Sequence, residues 1–492
     1  MSLAKKTLAL SLGQGFNSIV TVLSAMVMSR LLTHDELATY RQTFLAYDLL
    51  GVILGLGVQD AIYYFLPTES KRSRGLVLDG ILLLFAMGLV FLAFLVCGGS
   101  RALAFQFSNP ELADHLLYLT MLPVISMPAA LISAVLVTQN RVVWLSVYTV
   151  ASNSFILLSI IVSCLFTQDT ETLVLTRVLT TSLTCAVALQ LIWRSMPVDD
   201  WHPSLASMKR LMLFGLPLGA ASVFGTLQTS TDRLLVSSFC LPEDFAIYTN
   251  GAIEIPFIGI FTGAIAKVIL PELRQSIATG NKRMALELFR KSAEKSAVLL
   301  IPATVFLMVV AESVMIFLYS DKYVDSATPF RIYLLLLPAR IVIYGSFMVA
   351  LGLNRTVLFR TACAAICNLI LGYFLVQWMG QAGAASATVA TTYLIAILWS
   401  LIAIQKAVPC SFYEILPYRQ IAEIGLISLI SVIPVVAFTS MTSLQSSGLI
   451  VLFSSVIFGA FFLALATCLK NVAILDVLGL TRQLMLGKIV GR

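Results

Sequence analysis

The stretch GILLLFAMGLVFLAFLV, residues 80–96, carries no charged, amide or hydroxyl side chain. A half-buried strand would alternate apolar and polar residues, and a helix on a water-facing surface would keep a polar side. This run does neither, so it reads as a helix that is apolar on every face. About 20 such residues, at 1.5 Å each, cross the ~30 Å hydrocarbon layer of a membrane. A helix also satisfies its own backbone hydrogen bonds there, and the alternation expected of a β-barrel is missing. Thirteen further runs of this kind flank it, giving fourteen: about 7–30, 43–66, 76–98, 114–138, 143–166, 172–194, 210–238, 249–270, 296–318, 329–352, 358–378, 382–404, 421–440 and 447–469. The first reads as a retained span and not a cleaved signal, because it is long and no cleavage site with a polar chain follows it.

The whole composition agrees. Of 492 residues, 59% are hydrophobic and 12% charged, about half the roughly 25% charge of a soluble domain. Disorder needs low hydrophobicity and high charge, so it is excluded as well. The expected fold class is an all-α polytopic membrane protein. The longest segment between spans, about 271–295, is too short to hold a catalytic core, so function is expected between helices.

Orientation follows from lysine and arginine. With the N-terminus cytoplasmic, inner segments carry 23 of the 32 basic residues, including Arg355 and Arg360. The outer segments carry six: Arg30, Arg41, Arg101, Arg177, Lys322 and Arg331. Both termini are therefore expected in the cytoplasm, and the net charge of +7 is expected to face anionic lipid. No basic domain exists to bind nucleic acid. Eight cysteines without a C-x-x-C read as apolar fillers, and His34, His115 and His202 are too scattered for a metal site.

Part of the chain repeats itself. SRLLTHDELATY (29–40) follows the first run and SSFCLPEDFAIY (237–248) the seventh, at an offset of 208. Ser29 matches Ser237, Ala38 matches Ala246 and Tyr40 matches Tyr248, with an acidic pair between. Pro123 and Asn140-Arg141 are echoed by Pro338 and Asn354-Arg355, at offsets of 214 to 215. Six spans separate equivalent positions, so the halves share orientation, as in transporters built from parallel repeats. The expected domains are an N-lobe of six helices (1–200), a C-lobe of six (205–408), two additional helices (409–470) and a cytoplasmic amphipathic tail (471–492).

The 6+6+2 plan, the duplicated acidic turn, Asp232-Arg233 in the seventh run and GLGVQDAIYYFLP (55–67) together resemble the polysaccharide transporter branch of the multidrug/oligosaccharidyl-lipid/polysaccharide exporter superfamily. The similarity is greatest to the Wzx-type O-antigen and exopolysaccharide flippases. Ala38 and Ala246 depart from it, since members often carry glycine there. The resemblance implies two bundles around a central cavity. It also implies an undecaprenyl-pyrophosphate-linked oligosaccharide moved across the inner membrane, with polysaccharide polymerase and chain-length proteins as partners besides the lipids.

Ionised side chains at mid-membrane cost at least ~2.5–3.5 kcal/mol, so they usually face a wet cavity or a partner. Arg340, eleven residues into its run and about 17 Å deep at 1.5 Å per residue, is the first candidate for an anionic head group. The alternative is structural pairing with Glu312 or Glu254. Arg233 and Asp232 point about 100° apart, so one is expected to line the cavity and the other to pair sideways. Arg30, Arg41 and Lys267 complete the cationic set, with snorkelling to head groups as their alternative. Arginine suits the task because its planar fork grips phosphate and keeps its proton. Asp48, Asp232, Glu254 and Glu312 are candidates for coupling to a proton or sodium ion, or for ion pairing. Asp79 is placed at the inner interface, without a functional role.

Pro217, Pro256, Pro302 and Pro338 are expected hinges, each removing a helical hydrogen bond. Glycines including Gly51, Gly55, Gly57, Gly215 and Gly219 allow bending or close approach. NKRMALELFRKSAEKS (281–296) and the tail are expected to lie on the inner leaflet.

The sequence thus points to a monomeric flippase working by alternating access, with no cofactor, no metal and no enzymatic step. Its rivals are a cation-coupled drug or small-molecule exporter, a lipid II flippase, and a membrane glycosyltransferase or polymerase. The last would need a large outer loop or an intramembrane acid–base set.

Overall fold

A computed structural model describes residues 3–69, 71–167, 169–197, 199–253, 255, 272–273, 275–277, 279–442, 444, 446–469, 471, 474 and 479. Among them there are helices and no strand. Among the described residues, ten helices are long and apolar enough to span a membrane, and up to twelve if two bent pairs each count once. The first expected run lies in helix α1 (Leu3–Leu31). Most of the eighth, with Glu254, Pro256 and Lys267, falls outside the described residues, as does nearly all of the tail.

The chain divides into two compact units, Met1–Ala246 and Ile247–Arg492. In the first, α1 packs on α7 (Val142–Phe166), and α7 on α8 (Thr170–Ser195). Helix α2 (His34–Leu54) starts at a capping box: Thr33 and Glu36 each bond the other's backbone N–H. That pair satisfies two of the donors every helix start leaves open. Helix α2 continues as α3 (Val58–Phe65) after a 48° bend. The second bent pair, at 58°, is α5 (Leu112–Tyr118) with α6 (Leu122–Thr138). Between them, α4 (Ser73–Gln106) holds the 80–96 run and kinks at Gly98, whose φ is 108°. Helix α4 turns Leu84 and Phe91 inward and leaves Phe85, Leu89 and Val90 exposed, as a span between protein and lipid requires.

The seventh expected run is α9 (Leu205–Phe239), a 35-residue helix capped by Ser204 and holding Pro217. It packs on α2 and α3. At that crossing a Cβ added to Gly57 would stand 2.6 Å from the Gly219 nitrogen, and one added to Gly215 would stand 2.7 Å from the Leu56 oxygen. Gly57 also has φ +65°, a conformation that side chains disfavour. The α2–α3 bend therefore seats directly on the glycines beside Pro217.

Helix α10 (Pro242–Gly251) crosses the boundary between the units. In the second unit, α11 (Lys282–Val309) breaks at Val310 and resumes as α12 (Ala311–Tyr319). Residues 281–296 therefore begin a span and do not form a separate surface helix. Their apolar positions Ala285, Leu286, Phe289 and Ala293 are buried, and α11 packs along α16 (Tyr418–Met441). Helix α13 (Asp321–Ala350) is irregular around Pro338. Helices α14 (Asn354–Met379) and α15 (Gln381–Ala407) form an antiparallel pair, and α17 (Ser447–Cys468) packs on α16 and α12.

Candidate functional site

The first duplicated turn meets the second within the first unit. His34 Nδ1 lies 2.8 Å from Glu243 Oε1, joining the start of α2 to the start of α10. Behind this contact a buried polar network ties three segments. Gln42 Nε2 donates to Ser237 Oγ at 3.0 Å, and Asn109 Nδ2 donates to Gln42 Oε1 at 2.7 Å and to Thr39 Oγ1 at 2.8 Å. Buried amides need such partners. The repeat flagged Ser237 in the sequence; nothing there flagged Gln42 or Asn109.

Below the turn, α2, α8 and α9 bring three charged groups into one neighbourhood. Asp48 lies two turns beyond Tyr40 on α2, and the guanidinium charges of Arg177 on α8 and Arg233 on α9 both act on its carboxylate. Arg177 is fixed by aromatic neighbours: Nη1 donates to Tyr40 Oη at 2.9 Å, and its guanidinium carbon sits 3.6 Å from the Phe44 ring centroid. Such stacking holds the fork flat while its remaining N–H groups stay available. Arg233 is exposed and makes no hydrogen bond or ion pair among the described residues, whereas Asp232 next to it is 2% exposed. Asp48 itself is exposed. Exposed or half-buried charges on helices of this kind are costly against acyl chains, and such groups usually face water or a polar partner. Two cations against one carboxylate leave the trio net positive, fit for an anion.

Arg177 was missed by the sequence reading, which counted it with the outer segments. Its helix begins at Thr170, so it stands in the second turn, with Tyr40 and Phe44 above it.

The other candidates are scattered. Arg30 is exposed and Arg41 half-buried, on either side of the first turn. Arg340 does not sit within a regular helix. It caps a short helical stretch, Leu336–Ala339, and the chain through 343 is turn and bend. Glu312 does not pair with it; Arg331 Nη2 takes Glu312 Oε1 at 2.9 Å, in an exposed contact in the first turn of α12. Pro217 and Pro302 lie inside α9 and α11. Lys267, Glu254 and Pro256 are among the residues not described. No group of three or more histidine, cysteine, aspartate or glutamate side chains among the described residues is arranged to hold a metal.

Asp79 is a structural anchor. It is fully buried and accepts from Arg72 Nη1 at 2.8 Å and from the Ser204 N–H at 2.9 Å. Asp199 accepts the N–H groups of Ser73 and Arg74, and the Gly75 N–H donates to the Asp200 carbonyl. The segment joining α8 to α9 is thereby clamped to the start of α4.

A family model described as "Polysaccharide biosynthesis protein" matches residues 27–328. The chain belongs to this polysaccharide biosynthesis family. The match takes in the duplicated turns, the Asp48, Arg177 and Arg233 cluster, and the Asp79 clamp. No curated protein sequence matches the chain. Among solved structures, it resembles a lipid II flippase MurJ in an inward closed conformation, with 16% identity and a TM-score of 0.75, covering 94% of this chain and 99% of that one. It also resembles an inward-facing multidrug resistance MATE transporter of the MOP superfamily, at 14% identity and TM-score 0.59, covering 80% and 95%. A MOP superfamily transporter from Pyrococcus furiosus gives 14% identity and 0.56, covering 82% and 95%. The family member thus has the fold these membrane transporters share.

Proposed function

We propose that the chain is a flippase of the bacterial inner membrane. It carries an undecaprenyl-pyrophosphate-linked oligosaccharide, the repeat unit of an O-antigen or exopolysaccharide, from the cytoplasmic to the periplasmic leaflet by alternating access. Both termini then face the cytoplasm. The observation that carries this reading is the trio of Asp48, Arg177 and Arg233 on three membrane-spanning helices, with the two arginines outnumbering the acid. Membership in a polysaccharide biosynthesis family supports the substrate class.

A diphosphate crossing hydrocarbon loses its water, and arginine forks replace part of that hydration with charge-assisted hydrogen bonds. Arg177 is held flat by Tyr40 and Phe44, and Arg233 reaches open space from α9. Asp48 limits the net positive charge, so release remains possible, and it is the group best placed to exchange a proton or sodium ion during the cycle. Arg340, at the break in α13, is assigned the same cationic role in the second unit. Arg30 and Arg41 guide the head group at the outer turn. The lipid tail stays in the bilayer, and the sugars are held by water and neutral side chains.

A lipid II flippase shares this chemistry and differs only in the glycan. A drug exporter would place acids where this chain places arginines. The test is delivery of lipid-linked glycan to the outer leaflet in cells expressing Arg233→Ala or Arg340→Ala at normal membrane levels. Delivery should fall at least tenfold. Unchanged delivery with both substitutions combined contradicts the reading.

A further inference from the structure

Helices α3 and α9 carry an aromatic patch with charged groups that the flippase reading leaves unused. Tyr64 on α3 stacks on Phe214 of α9, with ring centroids 4.5 Å apart and an interplanar angle of 24°. Phe65 meets Phe214 edge-on at 4.9 Å, and the Arg210 guanidinium carbon lies 3.9 Å from the Phe65 ring centroid. Asp60 and Tyr64 stand four residues apart on α3, and Arg210 and Phe214 four apart on α9, so each pair shares one helix face. The ring contacts join the two faces into one patch, on the same crossing that seats Gly57 against Gly219.

The polar groups of this patch are open. Asp60 and Arg210 are exposed, and Tyr64 is 61% exposed. None of the three makes a hydrogen bond or ion pair among the described residues. Asp60 lies ~12 Å along the helix from Thr68, the end of the bent span. A carboxylate on a spanning helix usually faces water or a polar partner, which separates this patch from a tyrosine that only marks the membrane interface.

The mixture of groups selects the ligand. One acid and one base leave the patch without net charge, so it suits neither a free anion nor an organic cation. An acyl chain would leave the carboxylate, the guanidinium and the phenol unpaired. An uncharged ring with an apolar C–H face and hydroxyls around its edge matches all of them. Its face lies on the open side of Tyr64, its hydroxyls donate to Asp60 and accept from Arg210, and Phe214 backs the stack.

We propose that Asp60, Tyr64, Phe214 and Arg210 form a binding site for a pyranose ring. Tyr64 and Phe214 belong to the neutral side chains already assigned to sugars, and Asp60 and Arg210 add charged hydroxyl partners beside them. Phe214 and Arg233 are ~28 Å apart along α9, so the ring sits far from the cationic trio, at the end of the unit held by the Asp79 clamp. There it holds a glycan before the diphosphate reaches Arg177 and Arg233. Assigning the ring to a transported glycan rests on the flippase reading, whereas affinity for a pyranose does not.

The experiment uses the full chain in phosphatidylcholine nanodiscs and the methyl glycosides of glucose, galactose, rhamnose and N-acetylglucosamine. Binding is read by saturation-transfer NMR. At least one glycoside should bind, with transfer strongest at its ring C–H protons. Tyr64→Ala should weaken that binding about fivefold, the worth of one aromatic contact, and Tyr64→Phe should keep most of it. Asp60→Asn should weaken it by a similar factor, and Tyr413→Ala, at an exposed tyrosine of the second unit, should change nothing. The Arg177→Ala/Arg233→Ala protein should bind the glycoside as before, whether or not it translocates, so this site and the flippase reading fail separately. Absence of binding by all four glycosides overturns the proposal, as does binding that Tyr64→Ala leaves unchanged or that the double arginine variant loses. Tighter binding of tetraethylammonium, abolished by Asp60→Asn, would assign the patch to an organic cation and overturn it too.

Discussion

Gly57 and Gly219 meet backbone to backbone, so close that a Cβ on Gly57 would lie 2.6 Å from the Gly219 nitrogen. This contact fixes where the α2–α3 bend rests on α9, and hence how Asp48 on α2 and Arg233 on α9 are placed in one neighbourhood. Gly57→Ala combines that overlap with a strained positive φ and should cost about 2–3 kcal/mol. Gly51→Ala, with open space around it, should cost nothing measurable. Thermal unfolding of the two variants in detergent checks the difference.

Asp79 is the fully buried carboxylate that holds Arg72 and the N-cap residue of α9. Asp79→Ala leaves a partly buried guanidinium and a backbone N–H without their acceptor, so a loss of about 3–5 kcal/mol is expected. The joining segment around 199–203 should also become open to proteolysis. By contrast, Glu312→Ala breaks only an exposed pair with Arg331 and should change stability by at most about 1 kcal/mol.

Asp169 caps α8, the helix that carries Arg177. Burial pushes its carboxyl upward, but the N–H and hydroxyl of Thr172 and the N–H of Glu171 outweigh that and hold it below the ordinary range. A carboxylate lowered on folding stabilises the native state in full above its unfolded value, near 4. The contribution is lost as pH falls through the lowered folded value. Asp169→Ala should cost about 1 kcal/mol at neutral pH. The gap in melting temperature between it and the unsubstituted chain should narrow as pH falls from 6 to 3.

The spans were legible because runs such as 80–96 admit no other state, and the duplicated turn because Thr33 and Glu36 form a capping box any helix start can use. The site was less legible. Arg177 was counted with the loops because distance from the edge of an apolar run stood in for depth, and α8 begins before that run does. Arg340 was placed inside a regular helix, and the turn after Pro338 interrupts that helix at this residue. The amphipathic pattern of 281–296 was real, but periodicity cannot tell a face that packs on protein, as Phe289 and Ala293 do, from one that lies on lipid. Contacts such as Gln42 with Ser237 join residues far apart in the chain, and only the repeated serine left a trace.

Reconstituted vesicles loaded with a lipid-linked diphosphate oligosaccharide on one leaflet offer the most direct test of the cationic passage. Exposure of the glycan on the opposite leaflet is read with an added glycosidase. Arg177→Ala with Arg233→Ala should cut the rate at least a hundredfold, with the protein folded and inserted, while Arg331→Ala should leave it within twofold. A double variant that translocates the glycan at the unsubstituted rate would contradict the account.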